Sequence, residues 1–212
     1  NTPESAALWA ELAQQYDGRD RWYLEALGIG SDRNTDACFA AWQAKYPDAA
    51  STPAGKDLVW RSRAKAALPL LAQYIKDPAN TPAQLQRYFR AFDFHPEPEK
   101  NALIAGLIDL EHPLRDSINQ YALFQIDAGY ARSAPAVRNA LSKALPSLAK
   151  NADYLVIVRR LQAKDQIPVL TDMALHHENP DLRGGAVRLL VEFGAFSALV
   201  RTLGSSPEPD QI

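Results

Sequence analysis

Apolar residues recur along this chain at helical spacing. Leu85, Tyr88, Phe89 and Phe92 fall at i, i+3, i+4 and i+7, and Leu182, Ala186, Leu189, Leu190 and Phe193 at i, i+4, i+7, i+8 and i+11. Each set lies on one side of an α-helix, the stripe that a core-facing helix buries. Leu103, Leu107 and Leu110 make a third stripe, and Ile118, Ala122 and Ile126 a fourth. No hairpin or paired-strand signal competes. The pattern predicts helices near 3–16, 20–31, 36–46, 54–64, 67–76, 82–93, 97–111, 114–128, 134–149, 152–162, 165–177, 181–193 and 196–203. Their starts are well marked: Thr2-Pro3, Thr52-Pro53 and Thr81-Pro82 each set a capping hydroxyl before a proline at the first helical position. Gln84 completes a capping box with Thr81. Asp20, Thr35 and Ser133 read as further caps, and His112-Pro113 and Asn179-Pro180 as breaks before periodic segments.

Two of those breaks repeat. Leu110-Glu-His-Pro-Leu-Arg115 is similar to His177-Glu-Asn-Pro-Asp-Leu-Arg183 with one residue inserted, and the arginines are 68 positions apart, twice 34. A period of that size suggests stacked helix pairs, an α-solenoid. The run from Asn179 to Leu190 resembles the second helix of a HEAT repeat, which implies an Asp and an Arg in the turn that stack between neighbours. The expected architecture is therefore all-α, an α-α superhelix of antiparallel helix pairs. A single helical-repeat domain is expected over 1–203, aromatic-rich over 1–94 and slimmer over 97–203. Residues 204–212 read as a linker or tail, and a start at Asn1 reads as a processed or excised piece.

Composition agrees with the helical pattern. Alanine and leucine total 61 residues against 17 for valine and isoleucine, the wrong balance for a pleated core. The 15 prolines exceed the 10 glycines, yet most sit at predicted helix starts. A lone cysteine, Cys38, excludes an internal disulfide, a cysteine-based zinc site and a C-x-x-C-H haem attachment within these residues, and reads as a small core hydrophobe. No apolar run is long enough to span a membrane. With 23 basic and 25 acidic residues, the net charge of −2 argues against a nucleic-acid surface.

Thirteen of the 19 aromatics, and all four tryptophans, lie in residues 1–94. Three strings set arginine beside aromatic residues: Asp17-Gly-Arg-Asp-Arg-Trp-Tyr-Leu-Glu-Ala-Leu-Gly28, Val59-Trp-Arg-Ser-Arg63 and Arg87-Tyr-Phe-Arg-Ala-Phe-Asp-Phe94. With Asp36-Ala-Cys-Phe-Ala-Ala-Trp42, these strings resemble the helical module of large secreted bacterial sugar-dehydrogenase-like proteins. Such proteins combine a glucose/sorbosone dehydrogenase β-propeller, a HEAT-like region and a C-x-x-C-H haem domain, or a domain related to 3-keto-disaccharide hydrolases. The resemblance covers roughly residues 10–110. It implies a periplasmic or secreted setting and, as partners, neighbouring domains of the same polypeptide or another protein. It supplies no catalytic residues.

The candidate binding residues are Trp22, Trp60, Arg61, Arg63, Arg87 and Arg90. They admit two readings: stacked and ion-paired contacts that orient helices, with Arg90–Asp93 as one local pair, or a concave surface holding a sugar, an anion or a neighbouring domain. No pattern asks for a cofactor or metal in this chain: His95, His112, His176 and His177 include no i, i+4 zinc pair, and adjacent His176 and His177 suit a helix C-terminus. Gly184-Gly185 falls within a helical pattern, where small residues permit close helix approach. The expected function is a non-catalytic scaffold or interaction module of a larger carbohydrate-oxidising or carbohydrate-processing protein. The alternative is a HEAT-like DNA glycosylase acting on damaged bases, which would need a basic concave face; a HEAT-type lyase or chaperone acting on a bound cofactor is a third possibility.

Overall fold

The computed structural model describes residues 3–148 and 150–204. Among these there are fourteen α-helices and no strands. They are α1 (Pro3–Gln14), α2 (Arg21–Gly30), α3 (Thr35–Lys45), α4 (Pro53–Arg61), α5 (Ala67–Ile75), α6 (Pro82–Phe92), α7 (Glu99–Ala105), α8 (Arg115–Gln125), α9 (Ala128–Ser133), α10 (Pro135–Ala144), α11 (Ala152–Leu161), α12 (Ile167–His176), α13 (Pro180–Glu192) and α14 (Phe196–Gly204). Single 3-10 turns fall at Ala49–Ser51, Leu145–Ser147 and Lys164–Gln166.

Three starts follow the cap chemistry of the sequence, and a fourth cap, Asn179, falls where only a break was expected. Asp20 accepts from the Trp22 and Tyr23 N–H groups, Thr52 from Gly55, Thr81 from Gln84 in a two-way capping box, and Asn179 from Asp181. Thr2, Ala149 and the tail from Ser205 onward lie outside the described residues. Two expected caps are corrected. Thr35 is already helical and its hydroxyl donates to the Ser31 carbonyl, while Ser133 ends α9 and donates to Tyr130.

Three lengths also differ. The segment 97–111 is helical only over α7, because the chain turns at Gly106 and Asp109 adopts a left-handed φ of 63°. Helix α4 stops at Arg61, where Ser62 is extended with ψ 150°. The predicted 134–149 helix is α10 plus a 3-10 turn, and the additional helix α9 is capped by Asp127. Ala134 is extended because the residue before a proline is pushed out of the helical region.

The helices group into two compact units. The first holds α1–α7, up to Leu107 together with His112–Leu114; the second holds Ile108–Glu111 and α8–α14. In the first unit α1 packs on α3 and α5 on α6, around Phe39, Trp42, Leu71, Ile75, Leu85, Phe89 and Phe92. Cys38 is buried among these elements, and burial pushes its thiol pKa up. Helix α4 crosses the 3-10 turn so tightly that a Cβ on Gly55 would sit 1.8 Å from the Ala49 carbonyl oxygen. In the second unit α12 packs on α13, and α11 also approaches α13 where Gly185 leaves room for Leu155. Ile118, Leu123, Ile157 and Leu170 fill its core, and the buried Tyr154 hydroxyl donates to Gln166 at 2.9 Å. Arg160 donates to the carbonyls of Leu123 and Ile126 at the end of α8, satisfying groups that a helix terminus leaves open.

The same histidine device occurs in each unit. His112 Nδ1 accepts the Leu114 N–H at 2.9 Å while its Nε2 lies 2.9 Å from the Asp77 carbonyl. His177 Nδ1 accepts the Asn179 N–H at 3.1 Å while its Nε2 lies 2.9 Å from the Lys150 carbonyl. Since Nδ1 accepts, Nε2 carries the proton and donates, so one ring ties an inter-helix turn to an earlier one. No helix is long and apolar enough to cross a membrane among the described residues.

Candidate functional site

The arginine–aromatic residues form two clusters in the first unit. On α4, Asp57, Trp60 and Arg61 share a face through their i, i+3, i+4 spacing. Asp57 Oδ1 accepts from Arg87 Nη1 at 2.6 Å, and Tyr16 donates its hydroxyl to Asp57 Oδ2 at 3.3 Å. The Arg87 guanidinium then lies 4.2 Å from the Trp60 ring centroid, and Trp60 Nε1–H donates to the Arg87 carbonyl at 3.0 Å. Trp60 and Arg87 are thus locked to each other through both side chain and backbone. Burial, and next the Asp57 charge, raise the Tyr16 pKa above its ordinary value, which keeps the phenol protonated as a donor. Arg61 reaches back to α2, where Nε donates to Glu25 Oε2 at 2.8 Å. Its guanidinium occupies the space above Gly28, since a Cβ there would be 2.3 Å from Cζ.

The second cluster centres on Phe94, past the end of α6. Arg63 lies 4.1 Å from its ring centroid and Arg90 5.7 Å, while Arg90 also pairs with Asp93 at 3.0 Å. Arg63 donates to the carbonyls of Arg61 and Ser62, and burial lowers its pKa below the usual arginine value. His95, the next residue after Phe94, is 1% exposed. His95 Nδ1 is 3.4 Å from Glu97 Oε2 without hydrogen-bond alignment, and neither ring nitrogen has a hydrogen-bond partner. Burial depresses the His95 pKa; Glu97 opposes that, and Arg63 and Lys100 reinforce it.

The structure therefore brings Trp60 and Arg87 into contact, ties Arg61 to the wall beside them, and gathers Arg63 and Arg90 around Phe94. Trp22 stands apart from both clusters, 81% exposed on α2. The contributions of Asp57, Glu25 and Phe94 are not evident from the sequence. For Asp57 the signal is present in its spacing to Trp60, but its partner Arg87 lies 30 residues on.

Tyr16, Gly18, Arg19, Arg21, Leu24, Glu25, Trp60 and Arg87 line a cleft of about 240 Å³. In the second unit a larger groove of about 510 Å³ runs between α11 and α13, where Arg159 pairs with Glu192 at 2.9 Å. No group of three or more histidine, cysteine or acidic residues placed to hold a metal ion occurs among the described residues. Comparison with protein-family models, with curated proteins and with solved structures returns no match.

Proposed function

We propose that this chain is a non-catalytic helical-repeat scaffold, its helix pairs stacked as a HEAT-like α-solenoid. It spaces or docks the other domains of a larger extracytoplasmic protein that oxidises or processes carbohydrate. The observation carrying this reading is where the arginines are committed. Arg61 and Arg87 tie α4 to α2 and α6 through carboxylates, and Arg63 and Arg90 close on Phe94, while Trp22 projects bare from α2. The twin histidine ties support a repeated helix-pair unit, because the same connection recurs at the two similar sequence breaks. The extracytoplasmic setting and the carbohydrate context rest on the sequence resemblance alone.

The coding frame beyond both ends of these residues supplies the partner for the test. A propeller, C-x-x-C-H haem or carbohydrate-active domain supports the reading; a frame encoding 212 residues alone overturns it. With that domain in hand, calorimetric titration of variants separates support from docking. Arg87→Ala is expected to lower Tm with docking unchanged, and Trp22→Ala to weaken docking with Tm unchanged. An Arg87→Ala protein of native Tm that no longer docks would make the arginine cluster itself the contact surface.

A further inference from the structure

The cleft beside Trp60 differs from the other large hollow in charge. Its wall carries three arginines, Arg19, Arg21 and Arg87, against one carboxylate, Glu25. Arg87 is matched by Asp57, and Glu25 by Arg61. Arg19 and Arg21 pair with no carboxylate among the described residues. The nearby Asp17 and Asp20 carboxylates accept backbone N–H groups of the loop: Asp17 from Arg19, and Asp20 from Trp22 and Tyr23. This leaves two guanidinium groups at the mouth without an ion pair, while the Asp17 and Asp20 charges stay on the same loop outside the lining. Trp60, Tyr16 and Leu24 line it as an apolar wall. By contrast, the groove between α11 and α13 carries Arg159, Arg188, Asp181 and Glu192 in balance.

The Trp60–Arg87 wall is held in place. Trp60 and Arg87 are fixed to each other and to Asp57, and Gly18 turns the loop with a left-handed φ of 83° that a larger side chain would strain. Guanidinium forks bind planar carboxylates through two parallel hydrogen bonds, a geometry that surface lysines do not offer. The volume of about 240 Å³ is below the roughly 300–1,000 Å³ of clefts that hold drug-sized ligands, so it suits one ring and its acid group.

We propose that this cleft binds a carboxylate carried on a six-membered ring, with the acid group between Arg19 and Arg21 and the ring against Trp60 and Tyr16. The site goes beyond the scaffold reading and does not depend on it. Docking by Trp22 and binding in the cleft use different surfaces and fail separately.

Isothermal titration of the whole chain with glucuronate, benzoate, glucose and acetate tests the proposal. Glucuronate and benzoate share the ring acid and tell a sugar ring from an aromatic one. Glucose keeps the ring without the charge, and acetate the charge without the ring. At least one ring acid is expected to bind about tenfold or more tighter than both controls, and to weaken as salt rises. Arg19→Gln/Arg21→Gln is expected to abolish that difference with Tm unchanged, since neither side chain supports the fold through an ion pair. Absence of binding by both ring acids overturns the proposal. So does glucose or acetate binding as tightly as the ring acids, or a double variant that binds like the parent protein.

Discussion

His95 shows how one side chain can make stability depend on pH. Burial holds its pKa below the value of about 6.5 for an unfolded histidine. The folded state therefore takes up fewer protons than the unfolded state below that value. Its contribution to stability is complete above about pH 6.5 and is lost as pH falls towards the depressed folded pKa. Glu97 opposes the loss, and Arg63 and Lys100 deepen it. Thermal melts between pH 7.5 and 5.5 are expected to show Tm falling with acidification, with a shallower fall in His95→Gln. Parallel curves for the two proteins would show that another group titrates. The sequence gives little warning of this residue, because a histidine followed by alternating prolines and glutamates carries no apolar signal. Its burial depends on the chain folding back past the end of α6.

At the scale of elements, helix starts were readable because proline and a capping side chain act within one turn. The Thr52 and Thr81 caps work as their spacing suggests, and the apolar stripe of α6 is buried at Leu85, Tyr88, Phe89 and Phe92. Helix ends were harder to read. The Leu103, Leu107 and Leu110 stripe continues past α7, yet the helix does not, because Asp109 leaves helical φ and donates its N–H to Asn119 Oδ1. Leu107 is buried all the same, so periodicity recorded burial there and not helix. Close crossings were also hidden from the pattern. Gly55→Ala is expected to cost about 3 kcal/mol, the upper end for overpacking, since the obstacle is the Ala49 backbone; urea unfolding would measure it. His112→Ala is expected to cost about 1–2 kcal/mol, because it leaves the Leu114 N–H and the Asp77 carbonyl without their ring partner. Unchanged urea midpoints would remove the histidine tie from the account of what holds that turn.

Over the whole chain, fold class was legible because Ala and Leu dominate and the helical stripes are long. The uneven aromatic distribution also has a physical outcome: the first unit buries Phe39, Trp42, Phe89 and Phe92, whereas the second relies on smaller aliphatic side chains with Tyr154 as its largest buried ring. The candidate site was legible only as a set of residue types. Arginines beside aromatics announced stacking, but nothing local told that Arg87 would settle on Trp60, 27 residues away, or that Arg19 and Arg21 would be left over. Those outcomes depend on which carboxylates the fold assigns to which guanidinium groups, a contest settled only when distant helices meet.

One missing methyl group shapes that assignment. The Arg61 guanidinium reaches Glu25 through the space that position 28 leaves open. Gly28→Ala would displace the Arg61 guanidinium from that position and loosen its hold on Glu25, whose carboxylate lines the cleft. The substitution is expected to weaken anion binding by about tenfold while Arg19 and Arg21 stay intact, and titration at low and moderate salt would record the lost charge as a flatter salt dependence. Position 28 would then act as a rheostat: it tunes the charge of a surface it never touches.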